Sequence, residues 1–295
     1  MPILVTGATG QVGYRVVEEL SGAHADATAM VRVAAQGQDL PPAVDHLVAS
    51  LDDPPSPDVL RQFDRIFLMS PSHEGQVELE TLFIDALVAA GHLPHVVKLS
   101  ADGFQDLDCN VRFMRNHRQI ATHLDATGLP ATYVAPCRYM ENLLDSADQI
   151  QEMGLLSAPA GTGRVGFVAT RDVAATAAQV LLSDGHEDRT YVVTGPESLT
   201  YADVAARISA VFARRVDYDD VDPDQAESVL RESGMSPWQR EGMLELFEWI
   251  RQGGCDVVTT DMRDTTGEDP HPLEQWLGEM RGAFLGPRDL HPPRF

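Results

Sequence analysis

The chain opens with Ile3-Leu4-Val5-Thr6-Gly7-Ala8-Thr9-Gly10-Gln11-Val12-Gly13, an apolar run that enters a three-glycine turn. An apolar run of this kind suits a central strand of a parallel sheet, covered on both faces. In this order each glycine has a job. Gly7 permits the tight turn, Gly10 lets the backbone approach a pyrophosphate, and Gly13 lets the following helix, predicted from Tyr14 to Leu20, lie close on the sheet. The first N–H groups of that helix, with roughly +0.5 charge from its dipole, make an anion site. The pattern is weak alone and gains weight from standing directly after a strand and before a helix.

A second strand, Ala27-Thr28-Ala29-Met30-Val31, ends at Arg32, and no acidic residue follows before Asp39. An acid near this place would hold the ribose 2′-hydroxyl of NAD, whereas an arginine accommodates the 2′-phosphate of NADP. The residues therefore favour NADP(H). A solvated strand-end role for Arg32 stays open.

A chain of 295 residues supports one large domain with an appendage, or two domains. There is no apolar run of about 18 residues, so no membrane span is expected. Structure is expected from Pro2 onward, which leaves no room for a signal peptide. Cys109, Cys137 and Cys255 are odd in number and lack zinc spacing, which suits a reducing cytoplasm. His92 and His95 do not share a helical face, so no metal is expected there. With 45 acidic and 22 basic residues, the net charge of −23 repels phosphate backbones and argues against direct nucleic-acid binding. Among the basic residues Lys98 is the single lysine, and it falls inside a predicted strand.

Strand and helix signals alternate through the first half. Strands are predicted at 46–49, 65–70, 96–100 and 131–135, with helices at 78–90 and 115–126, the latter capped by Gly128. This alternation predicts an α/β fold with a doubly wound parallel sheet and ligands at the strand carboxyl ends. In the second half, Asp172 reads as the N-cap of a helix over 173–182, 189–194 as a strand, and Thr200 as the cap of a helix over 201–212. An acidic loop is predicted over 217–224, helices over 225–232, 237–252 and 274–284, and a mobile Pro-rich tail over 286–295. The expected division is a dinucleotide-binding domain over 1–153 that also takes the strand near 165–195, a mainly helical substrate domain over 196–285, and the tail.

Six segments, in order, carry a resemblance over nearly the whole chain: Thr6 to Gly13, Val31-Arg32, Pro136-Cys137-Arg138-Tyr139-Met140-Glu141-Asn142, Phe167 to Ala174, Tyr191 to Leu199 and Thr266-Gly267-Glu268-Asp269-Pro270. Together they resemble the NmrA-like branch of the atypical short-chain dehydrogenases. The resemblance implies a Rossmann domain, a small C-terminal α/β domain and a substrate cleft between them. It is nearest to NADPH-dependent quinone and triphenylmethane-dye reductases, while other members are redox sensors that bind a dinucleotide without turning it over.

The chain also departs from the pattern. Short-chain dehydrogenases use Tyr-x-x-x-Lys; here Asn116-His117-Arg118-Gln119-Ile120-Ala121 places His117 at the tyrosine-like position and Ala121 where the lysine would be. Ser50 stands at the family's acidic position after the third strand, and the basic residue usual after Val-Arg is absent. Reduction of a conjugated acceptor tolerates such losses, because the nicotinamide carries the hydride and the protein chiefly positions it. Ketone reduction, which relies on a general acid typically worth 10² to 10⁴-fold, does not.

The catalytic candidates are His117, Lys98 and Tyr139. His117 is either a proton donor near neutral pH or a helix brace. Lys98 either bonds the nicotinamide ribose or points elsewhere, and Tyr139 either meets nicotinamide and substrate or packs at a domain interface. Glu141 and Asn142 are expected to fix the interdomain segment. The cofactor candidates are Thr6, Gly7, Thr9, Gly10, Gln11, Val12, Gly13, Arg32, Met69, Ser70, Lys98, Ser100, Pro136 and Tyr139. Phe104, Met114, Met153, Trp238 and Phe247 are either an apolar acceptor cleft or core. The expected activity is NADPH-dependent reduction of a quinone-like or polycyclic aromatic acceptor, with natural-product tailoring as one setting. The alternative is an NADP(H)-sensing regulator of a protein partner. Pairing into a homodimer is left open.

Overall fold

The computed structural model describes residues 1–41 and 44–285, so the tail expected over 286–295 lies outside the described residues. The chain divides into two compact units. The first comprises Met1–Pro136, Thr170–Val193 and Asp261–Glu268; the second comprises Cys137–Ala169, Thr194–Thr260 and the chain from Asp269.

In chain order, β1 (Ile3–Val5), α1 (Gln11–Gly22), β2 (Ala27–Val31), β3 (Asp45–Val48), α2 (Pro57–Leu60) and β4 (Arg65–Leu68) come first. α3 (Gln76–Ala89), β5 (His95–Leu99), α4 (Arg112–Thr127) and β6 (Ala131–Pro136) follow. The chain passes to the second unit as α5 (Ala147–Met153), β7 (Leu155–Ser157) and β8 (Arg164–Val165), then returns as α6 (Thr170–Leu182) and β9 (Arg189–Val193). It leaves again as β10 (Leu199–Thr200), α7 (Tyr201–Phe212), β11 (Asp217–Asp219), α8 (Pro223–Glu232) and α9 (Pro237–Arg251). α10 (Asp261–Thr266) belongs to the first unit, and α11 (Leu273–Glu279) and α12 (Arg281–Phe284) to the second.

The first unit is a seven-stranded parallel sheet in the order β3-β2-β1-β4-β5-β6-β9. Its inner strands β1, β4, β5 and β6 are buried along their whole length, as two-sided helix cover requires. The edge strand β3 is largely exposed. Strand order reverses between β1 and β4, and in such sheets the crevice at that switch point is where ligands bind. On α1, Val12, Val16, Val17 and Leu20 form the buried stripe, and α6 packs against this helix with Ala174, Ala177 and Ala178 buried. α4 ends at Gly128, which takes the left-handed conformation (φ +75°).

The second unit holds two small strand pairs, β8 with β10 antiparallel and β7 with β11 parallel. Residues 137–153 lie in this unit, where Met140, Leu143, Ala147 and Ile150 join its apolar core. Thr200 caps α7 as expected: its hydroxyl accepts from Asp203 N at 3.0 Å, and the Asp203 carboxylate accepts from Thr200 N at 3.0 Å.

Three local expectations differ from the structure. α6 starts at Thr170, so Asp172 is a buried residue of its first turn and not its cap. The acidic stretch after Val216 begins as β11, where Tyr218 donates to Ala158 O at 2.8 Å and leaves Asp217 and Asp219 exposed on either side. The last predicted helix breaks at Met280 into α11 and α12, which lets Trp276 and Phe284 meet edge-on at 6.0 Å. Among the described residues no helix is long and apolar enough to cross a membrane.

Candidate cofactor site

The turn after β1 is held to a single shape by close backbone approach. Gly7 sits at φ +60°, and a Cβ there would lie 2.6 Å from the Met69 side chain. A Cβ on Gly13 would lie 2.2 Å from the Gly7 carbonyl, so the third glycine serves contact between α1 and the turn itself, not contact with the sheet. The turn closes through Gly10 N donating to Gly7 O at 2.9 Å. Gly10 is the N-cap of α1 and offers no side chain to the first-turn N–H groups, which include those of Gln11 and Val12. Thr9 and Gln11 are exposed beside them. These groups fit the diphosphate of a dinucleotide: a cradle with no room for side chains, at a helix start that nothing else caps.

Thr6 plays another part. Its fully buried hydroxyl accepts from Met69 N at 2.9 Å and donates to Met69 O at 3.0 Å, clipping the end of β1 to the chain after β4. Arg32 is exposed just beyond β2 and forms no ion pair among the described residues. Near it, a hydrogen bond from Ser50, then one from the Asp52 backbone, and last the Arg32 charge hold the Asp52 carboxyl below its ordinary range.

A buried polar cluster joins β5 to α3. Lys98, 1% exposed, places Nζ 2.9 Å from Glu80 Oε2 and 3.2 Å from Oε1, and also donates to Leu99 O. Glu80, 0% exposed, accepts from Ser70 Oγ at 2.7 Å and from Gln76 Nε2 at 3.3 Å. The Lys98 ammonium is therefore tied to Glu80 in an internal ion pair. Burial still pushes its pKa down, opposed by Glu80. His117 is buried at 8% exposure with Nδ1 unpartnered, and burial followed by the Lys98 charge lowers its pKa well below the usual value. Both effects favour the neutral imidazole over the imidazolium form. Ser100 is also buried, and its Oγ has no partner.

Sequence reasoning missed Asp102. It follows β5, its N–H donates to Pro136 O at the end of β6 (2.9 Å), and burial pushes its carboxyl up to about 6. Of the apolar candidates, Phe104 and Met114 are buried in the first unit, with Phe104 packed on Tyr133 (5.3 Å), whereas Met153 of the second unit is exposed. Tyr139 belongs to the second unit, where a bridge to Val168 fixes its backbone. Burial first, and then Glu141, push its phenol pKa up, so it stays protonated. Glu141 accepts from Trp276 Nε1 at 3.3 Å.

The chain has relatives along its full length. It is 34% identical to an NAD(P)H azoreductase of Xenophilus azovorans over 96% of this chain and 99% of the relative. It is 32% identical to (4-alkanoyl-5-oxo-2,5-dihydrofuran-3-yl)methyl phosphate reductase of Streptomyces griseus, again covering 96% and 99%. Among solved structures, the NADPH complex of an NADPH-dependent quinone oxidoreductase from Escherichia coli superposes with a TM-score of 0.85 at 24% identity, covering 95% of this chain and all of that one. Triphenylmethane reductase of Citrobacter sp. with NADP(H) superposes with a TM-score of 0.82 at 21% identity, covering 95% and 99%. The sequence pattern of the NmrA-like family matches residues 1–268, which contain the glycine cradle, the complete seven-stranded sheet and most of the second unit, and the chain therefore belongs to the NmrA-like family.

Proposed function

We propose that the protein is an NADPH-dependent reductase that delivers hydride to a quinone-like or otherwise conjugated small acceptor. The observation that carries this reading is the uncapped first turn of α1 standing over the glycine cradle at the strand-order switch point. Arg32, exposed and outside any ion pair among the described residues, suits the 2′-phosphate. The full-length relatives named as an azoreductase and a lactone-phosphate reductase support redox chemistry on conjugated small molecules.

When bound, the dinucleotide supplies the hydride, and one proton must follow to the acceptor oxygen or nitrogen. Neutral His117 and ion-paired Lys98 are poor sources of that proton. Asp102, at the carboxyl ends of β5 and β6 and titrating at about 6, is the better one, with water as the alternative donor. Thr6 and the Glu80 cluster hold the floor of the crevice in place.

The test is to mix purified protein and NADPH with benzoquinones, naphthoquinones and azo dyes and follow absorbance at 340 nm. Oxidation that saturates with acceptor supports the proposal. NADPH binding by calorimetry without oxidation by any acceptor refutes it and favours an NADP(H) sensor.

A further inference from the structure

A cavity of about 540 Å³ opens within the first unit, away from the glycine cradle. Its walls come from the start of β6 and the start of β9, whereas the dinucleotide crevice of such a sheet lies at the carboxyl ends of its strands. Ala131, in the wall, stands about 16 Å along β6 from Pro136 at the other end. α4 packs over β6 here but ends at Gly128, and the sheet runs on to its edge strand β9, so the space lies between the last turn of α4 and β9. Gln105 spans one side, donating from Nε2 to Thr190 Oγ1 at 3.3 Å. A Cβ on Gly128 would meet nothing within 4 Å, which marks the open mouth.

The lining has two chemistries. The floor is apolar and aromatic, made of buried Leu129, Ala131 and Tyr133. The rim is acidic. Asp125, Glu187 and Asp188 are exposed on it, and none of the three forms an ion pair among the described residues. Tyr133 Oη donates to Asp125 Oδ1 at 2.6 Å. Burial first, then this bond, and then the charges of Asp125 and Asp188 push the phenol pKa up, so both carboxylates bear on the same hydroxyl. Glu187 has other company: its own N–H first, and then His95 and Arg65, hold its carboxyl below the ordinary range. Arg189, the neighbouring cation in the chain, alternates to the face of β9 opposite Thr190. Asp125 and Asp188 are thus left uncompensated beside a closed apolar floor.

That pairing of surfaces fits an ammonium group carried on a flat ring system: the rings cover Tyr133 and Leu129, and the ammonium lies between the two carboxylates. A cavity of this size holds a small organic molecule. A bare divalent cation fits poorly, because it needs converging oxygens, and among the described residues no group of three or more His, Cys, Asp or Glu is placed to hold a metal ion.

We propose that this cavity is a second ligand site of the protein, taking a small aromatic amine whose ammonium group pairs with Asp125 and Asp188. The site belongs to the first unit alone and requires neither the cradle nor the reductase reading. The net charge of −23 draws cations to the whole surface, but that attraction is screened over about 8 Å at physiological salt and selects no single place.

The test is calorimetric titration with 1-naphthylmethylamine, 1-naphthalenemethanol and spermidine at physiological salt. The amine should bind saturably and at least tenfold more tightly than either the alcohol, which lacks the charge, or spermidine, which lacks the rings. Asp125→Asn/Asp188→Asn keeps an acceptor for Tyr133 and suits the left-handed backbone of residue 188 (φ +59°), and should weaken the amine at least tenfold. Gln105→Lys, at an exposed side chain, tethers an ammonium in the cavity and should do the same. Glu19→Gln/Asp45→Asn removes two exposed charges from α1 and β3 and should change affinity less than twofold. Each variant is checked for an unchanged melting transition. Saturating NADPH should leave amine binding as it was. No binding of the amine, equal binding of the alcohol, or a loss in the α1/β3 variant as large as in the cavity variants overturns the site. Spermidine bound as tightly as the amine reduces it to general attraction by an acidic surface, and competition with NADPH moves the amine to the cofactor crevice; both overturn the proposal. Because no arm depends on turnover, each of these failures leaves the reductase reading standing.

Discussion

The Glu80–Lys98 pair allows a quantitative prediction. Glu80→Gln keeps the shape of the side chain and an acceptor for Ser70 and Gln76, but leaves the Lys98 ammonium, 1% exposed, without a counter-charge. At the observed separation of 2.9 Å the lost attraction is about 6 kcal/mol for an effective dielectric constant of about 20. Removing one partner of a buried pair characteristically costs about 3–5 kcal/mol, because Lys98 escapes part of the loss by shedding its proton. That is a large share of a typical unfolding free energy of about 5–15 kcal/mol, and corresponds to a melting shift of roughly 10 °C. The pH dependence is diagnostic. In Glu80→Gln the folded-state pKa of Lys98 falls further below its unfolded value, so the unfolded chain binds more protons and the deficit should shrink as pH rises from 7 toward 10. Urea unfolding at pH 7 and pH 9.5, with Glu80→Gln/Lys98→Met alongside, is the assay. The double variant should recover most of the loss. A deficit below about 1 kcal/mol in Glu80→Gln, or one that does not change with pH, refutes the reasoning.

Three further predictions concern the site. Arg32→Ala should raise the KM for NADPH by about 10- to 100-fold and that for NADH less than threefold; equal effects on both cofactors would remove the 2′-phosphate assignment. Gly13→Ala must push a methyl group into the Gly7 carbonyl, so calorimetry should show NADPH binding lost or reduced by about a hundredfold, and unaltered affinity would show that the cradle does not bind the diphosphate. Asp102 has a folded-state pKa raised to about 6, so its contribution to stability is present below about pH 4 and is lost as pH rises through 6. Asp102→Asn should therefore be more stable than the parent at pH 8 by about 1–2 kcal/mol and lose that advantage at pH 4; an equal difference at both values would refute the shift.

What could be read in advance follows from periodicity and chain length. β1, the glycine turn and α1 were legible because each glycine answers to a backbone constraint that no other residue satisfies. The parallel order of the remaining strands followed from apolar runs separated by helices. β8 and β10, at two residues each, are too short to carry any periodic signal, and β11 hides among aspartates because only Tyr218 of its three residues is drawn inward. At the site, the single lysine inside an apolar strand drew notice, but its partner sits on α3, 18 residues away, and a pattern of types cannot choose among 45 acids. Asp102 was missed for the reverse reason. Its significance lies in its burial, which is not written in the local sequence.

The first unit is assembled from three separate stretches of chain, and the last of them donates Asp261, whose carboxylate accepts from the N–H of Val192 in β9 at 2.7 Å. A fragment cut after Pro136 would lack β9 and end on an open rim at β6, a strand otherwise buried along its whole length, an invitation to sticky strand-to-strand association. Domain grafts and minimal cofactor-binding fragments drawn from this protein must therefore carry residues 170–193 and 261–268 along with the amino-terminal half, rejoined by engineered connections.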